Sequence, residues 1–88
     1  MRSVRLTGRE ASVVRAIGFT EGMVGSEIIE HTRMEPEDVA DTLNSLMSAG
    51  FVETVPYYEQ IQLEQIPVTT FEMNPGYVQD IRTALQRR

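Results

Sequence analysis

A helical stretch that stops at a glycine and passes straight into a strand, residues 34–55, constrains this chain more than any other feature. Val39, Leu43, Leu46 and Met47 recur at i, i+4, i+7 and i+8, which is one apolar stripe on a 3.6-residue period. Pro36 suits the first helical position, where its missing N–H would have no partner in any case. Glu37 and Asp38 set negative charge against the positive end of the helix dipole. Gly50 accepts the left-handed conformation that ends a helix, and Phe51 beyond it is placed to fold back on Leu46 or Met47. The alternation over 51–55 then reads as a strand, broken by Pro56.

Upstream, Thr7-Gly8-Arg9-Glu10 has the Thr-x-x-Glu form of a capping box, with Leu6 as its hydrophobic staple. Ala11, Val13, Val14 and Ile17 follow at helical spacing and Gly18 ends the run, so a first helix is expected over 8–17. Residues 1–5 precede any periodicity and read as a loose arm. Glycines at 22 and 25 flank Met23-Val24, which suggests a loop with one short strand pairing. A second helix follows over 26–32 with Ile28 and Ile29 inward, and only residues 33–35 separate it from the third. Helix, short turn and helix make a helix-turn-helix.

Downstream, 68–73 is a second strand, with Val68, Thr70 and Glu72 on one face and Thr69, Phe71 and Met73 on the other. It is expected to pair antiparallel with 51–55. Between them Ile61 and Leu63 alternate with Gln60, Gln62 and Glu64, so part of 57–67 is expected to extend this ribbon. Asn74-Pro75 is a helix start, asparagine capping and proline first, for a last helix over 75–87 with the stripe Val78, Ile81, Leu85. The methionines at 23, 34, 47 and 73 read as core gap-fillers.

At 88 residues the chain is one domain with a modest core, to which a dimer interface would add. The absence of cysteine removes disulfides, thiolate metal sites and cysteine nucleophiles together. His31 is the single histidine and has no partners at metal-ligand spacing. No nucleophile stands beside a base and no glycine loop cradles a phosphate, so the expectation is a protein without catalysis, metal or cofactor. No apolar run nears the roughly 18 residues of a membrane span, and no signal-peptide pattern opens the chain; a soluble cytoplasmic protein is expected.

The order helix, short strand, helix, turn, helix, strand, hairpin loop, strand, helix resembles the winged helix-turn-helix superfamily over nearly the whole chain. Glu27-Ile28-Ile29-Glu30 carry the likeness in the second helix; Val39, Leu43, Leu46, Gly50, Phe51 and Val52 carry it through the third and its exit. The resemblance implies an α+β, mainly helical winged-helix fold: a three-helix core, a two- to three-stranded antiparallel wing and a C-terminal helix. It also implies a third helix that enters a DNA major groove and a hairpin over 51–73 that touches the backbone or minor groove. Arg33 stands in the turn where such proteins often have glycine.

Charge opposes that use. All eight basic residues are arginine, and none lies between Met34 and Ile81. Residues 1–20 net +3, residues 21–72 net −10 and residues 73–88 net +2. DNA binding draws on basic side chains that neutralise phosphates, whereas the outward face of the third helix presents Glu37, Asp38, Asp41, Asn44, Ser45 and Ser48. Asn44 is the one residue there suited to reading adenine. The leading expectation is a protein-interaction or dimerisation module with an acidic face of Glu37, Asp38, Asp41, Asn44 and Ser45, and with Tyr57 and Tyr58 either as interface anchors or packed on Ile61 or Leu63. The alternative is a DNA-binding transcriptional regulator. If the first and last helices lie side by side, Arg2, Arg5, Arg82, Arg87 and Arg88 make a basic back surface for nucleic acid or for the acidic face of a second copy.

Overall fold

In the computed structural model, which describes residues 4–86, the chain enters its first helix, α1 (Gly8–Ile17), through the expected capping box. The Glu10 N–H donates to Thr7 Oγ1 at 3.1 Å, and the Thr7 N–H donates to Glu10 Oε1 at 2.9 Å. Ala11, Val13, Val14 and Ile17 form the buried stripe. Val4 and Leu6 are buried as well. The arm expected over 1–5 therefore differs at Val4, whose apolar side chain gains by leaving water; residues 1–3 lie outside the described residues.

After β1 (Met23–Val24), helix α2 (Gly25–Thr32) begins one residue earlier than the sequence suggested. It ends at Arg33, held in the left-handed region at φ 57°, ψ 22° with its N–H on the Ile29 carbonyl at 3.0 Å. A side chain there costs energy that glycine avoids. Replacing the exposed Arg33 by glycine is expected to stabilise the fold by about 1 kcal/mol, a rise in Tm of roughly 4–8 °C for a domain this size. Thermal unfolding followed by circular dichroism checks it.

Helix α3 (Pro36–Ser48) buries Val39, Leu43 and Leu46. Gly50 takes φ 84°, and the Gly50 and Phe51 N–H groups donate to the Met47 and Leu46 carbonyls, each at 3.0 Å, in the paired pattern of a Schellman cap. The Phe51 ring meets Tyr77 edge-to-face at 5.0 Å. β2 (Val52–Val55) follows immediately, with Val52 and Thr54 inward and Glu53 and Val55 outward. β3 (Thr70–Met73) turns Phe71 and Met73 into the core, the alternation the sequence implied.

β3 pairs antiparallel with β2 on one side and with β1 on the other, so the sheet order is β1-β3-β2 and β2 is an edge. Glu53 stands directly opposite Glu72. The expected extension of the ribbon through 57–67 does not occur. The chain instead forms a 3-10 segment, Leu63–Val68, capped reciprocally by Gln62 and Gln65. Ile66 within it and Ile61 just before it are buried, while Leu63 is exposed. Apolar positions five apart do not follow a strand's two-residue alternation. The last helix opens with a 3-10 turn, Pro75–Tyr77, under the Asn74 cap, then continues as α4 (Val78–Gln86). Ile81 and Ala84 seat it on the core. The architecture is α+β and mainly helical. Among the described residues no helix is long and apolar enough to cross a membrane.

Candidate interaction face

α2 and α3 are joined by residues 33–35, and the outward side of α3 is where the candidate residues fall. Glu37, Asp41 and Ser45 repeat every four residues and are all exposed, as is Ser48. Glu35, at the N-cap, is exposed and makes no side-chain cap bond. Asp38 differs. It is half-buried, and Arg9 of α1 reaches it with Nη1 to Oδ1 at 3.4 Å. The Arg9 side chain is 64% exposed, so the contact contributes little to stability. Its consequence is electrostatic: the acidic stripe receives one arginine at its inner border and keeps Glu37 and Asp41 facing solvent.

Asn44 leaves the candidate face. Its Oδ1 accepts the Ile61 N–H at 2.7 Å and its Nδ2 donates to the Ile61 carbonyl at 3.1 Å. One amide side chain thus satisfies both main-chain groups of a residue only 3% exposed. The expectation that Asn44 points outward to read a base is corrected: helical periodicity places it beside Asp41, but the loop after β2 comes down onto it. Buried main-chain groups need partners, and here Asn44 supplies them.

Tyr57 and Tyr58 separate. Tyr57 is 80% exposed; Tyr58 is half-buried against the core, its N–H on Thr54 Oγ1 at 2.8 Å. Between the end of α3, the free edge of β2 and residues 57–60 runs an open groove of about 1000 Å³. It is lined by Met47 and Ser48 of α3, by Val52 to Val55 of β2, by Tyr57, Tyr58 and Glu59, and by Glu72 of β3. Sequence reasoning missed this groove, because it depends on where residues 57–62 travel. The Asn44–Ile61 clip that directs them spans 17 positions and has no local signature.

The basic back surface is only partly placed, since Arg2, Arg87 and Arg88 lie outside the described residues. Arg5 is exposed. The Arg82 guanidinium sits over the Phe19 ring at 4.8 Å from its centroid, a cation–π contact that ties α4 to the loop after α1. His31 is exposed near the end of α2. Among the described residues no group of histidine and carboxylate side chains is arranged to hold a metal ion. Comparison with protein-family models, with characterised proteins and with solved structures returns no match, so this chain inherits neither a family nor a function from a relative.

Proposed function

We propose that this chain is a winged-helix domain that works as a protein-interaction or dimerisation module and not as an enzyme. In this reading α2 and α3 are the helix-turn-helix and β2–β3 with their connection are the wing. The element order and the three-stranded antiparallel sheet with β3 central support that assignment.

The observation that carries the interaction reading is the charge of the surface that would meet a nucleic acid. Glu37, Asp41 and Glu35 are exposed on or beside α3, Glu53 and Glu59 are exposed on the hairpin, and no arginine or lysine occurs between Met34 and Ile81. Among the described residues Arg9 pairs with this face, at Asp38. Each carboxylate brought near a phosphate repels it, whereas binding requires cations that release condensed counterions. A surface of this sign suits a basic protein partner.

Titration of labelled duplex DNA with the protein at about 50 mM salt, read by fluorescence anisotropy, is expected to show no binding up to tens of micromolar. Micromolar binding with a steep salt slope would reverse the reading in favour of a DNA-binding regulator.

A further inference from the structure

We propose that the free edge of β2 takes up an extended, basic segment of a protein partner as a fourth strand. This deepens the interaction-module reading and rests on it, and it names a site other than the outward face of α3. The ladder geometry supplies the first argument. The Asn74 N–H donates to the Phe51 carbonyl at 2.9 Å, and the register continues as Val52↔Met73, Glu53↔Glu72, Thr54↔Phe71 and Val55↔Thr70. Antiparallel pairs alternate between exchanging hydrogen bonds and not. Phe51/Asn74 bonds, so Glu53 and Val55 direct their main-chain groups to β3, while Val52 and Thr54 direct theirs to the open side. Among the described residues those groups of Val52 and Thr54 take no main-chain or side-chain partner. As whole residues Val52 and Thr54 are 3% and 6% exposed, and both line the groove.

The second argument is what surrounds that edge. Natural sheets usually cover, charge or bulge an edge to prevent pairing. This one lies in a cleft of about 1000 Å³ with Tyr57 exposed at its end, which leaves room for a strand beside β2. Glu53 and Glu72 face each other across the outer side, a like-charge cross-strand pair that destabilises the free sheet. Glu59 adds a third carboxylate at the rim, and among the described residues no arginine pairs with any of the three. A lysine or arginine from an added strand relieves that repulsion; its alternate side chains would reach the outer face while its backbone satisfies Val52 and Thr54. A second copy of this chain fits less well. Pairing β2 with β2 would bring two sets of the same carboxylates together.

The test uses the full chain, labelled with ¹⁵N, and three seven-residue probes: alternating lysine and valine, alternating glutamate and valine, and the lysine peptide with its strand-facing amides N-methylated. The lysine peptide is expected to shift the Val52 and Thr54 amide signals most and to slow their hydrogen exchange. N-methylation keeps the charge but removes main-chain donors, and is expected to weaken binding by about tenfold or more. Glu53→Gln combined with Glu72→Gln is expected to weaken it several-fold while the circular dichroism spectrum is unchanged. Equal binding of the methylated peptide would overturn strand addition in favour of charge alone. Concentration-dependent dimerisation with the same amide shifts would overturn it in favour of a second copy. If neither the lysine peptide nor duplex DNA binds, the edge assignment falls and the interaction reading stands. DNA binding in the same titration would overturn both.

Discussion

Gly25→Ala should destabilise this domain by about 3 kcal/mol, at the upper end of the cost of forcing atoms into a packed site. Gly25 is the first residue of α2 and is buried. Its N–H donates to the Thr69 carbonyl at 2.9 Å, which brings the end of the Leu63–Val68 segment down onto the helix start. A Cβ placed there would overlap the Ile66 carbonyl oxygen and lie 2.7 Å from its carbon. Both are backbone atoms that cannot rotate aside. Helix propensity predicts the opposite sign, because alanine is favoured over glycine by about 1 kcal/mol within a helix. Urea unfolding therefore separates the two causes. Gly76→Ala is the control: the added Cβ meets only Asn74 Oδ1, at an ordinary 3.5 Å, and should leave stability within about 0.5 kcal/mol. A domain of this size holds about 5–10 kcal/mol in all, so the Gly25 variant should be visibly less cooperative or partly unfolded near 37 °C. If Gly25→Ala is as stable as the parent chain, the docking of Ile66 on α2 is wrong.

Asn44→Ala is expected to cost about 2–3 kcal/mol, more than two average hydrogen bonds, because it leaves the Ile61 N–H and carbonyl buried without partners. The change should be local. Asn44 lies on the half-buried side of α3, and Val39, Leu43 and Leu46 keep the helix on the core. Residues 57–62 should lose their anchor and their course over the groove. Hydrogen exchange at the Ile61 amide is expected to rise by about 30-fold or more, the factor equivalent to 2 kcal/mol, while exchange at Val39 and Leu43 scales only with global stability. Unchanged protection at Ile61 would sink the clip. The same variant bears on strand uptake, since Tyr57, Tyr58 and Glu59 end the groove.

Much of the fold was readable because its signals are local. The Thr7–Glu10 box, the Gly50 stop and the Asn74 cap each satisfy main-chain groups within a few residues of themselves, and Pro36 removes a donor that would have had no partner at the start of α3. The stripes Val13–Ile17 and Val39–Leu46 need only helical period to select their buried side. The candidate site was less readable. Glu37, Asp41 and Ser45 do face solvent, because they oppose the apolar stripe on the same helix. Asn44 was expected at the surface, and Tyr58 either there or packed on Ile61 or Leu63; both have structural partners, in Ile61 and Thr54.

Residues 57–67 mark the boundary between the two kinds of information. Taken alone, Ile61 and Leu63 among glutamines are equally compatible with a strand, and nothing nearby contradicts it. What selects the 3-10 turn is the space above Gly25 and the amide of Asn44, both far off in the chain. The order of helices and strands, their ends and the negative sign of the outer surface of α3 follow from the amino-acid sequence, since propensity, capping and charge act at short range. The open β2 edge, its groove and the removal of Asn44 from the surface were decided only by tertiary structure, because each depends on which distant main-chain groups meet a partner.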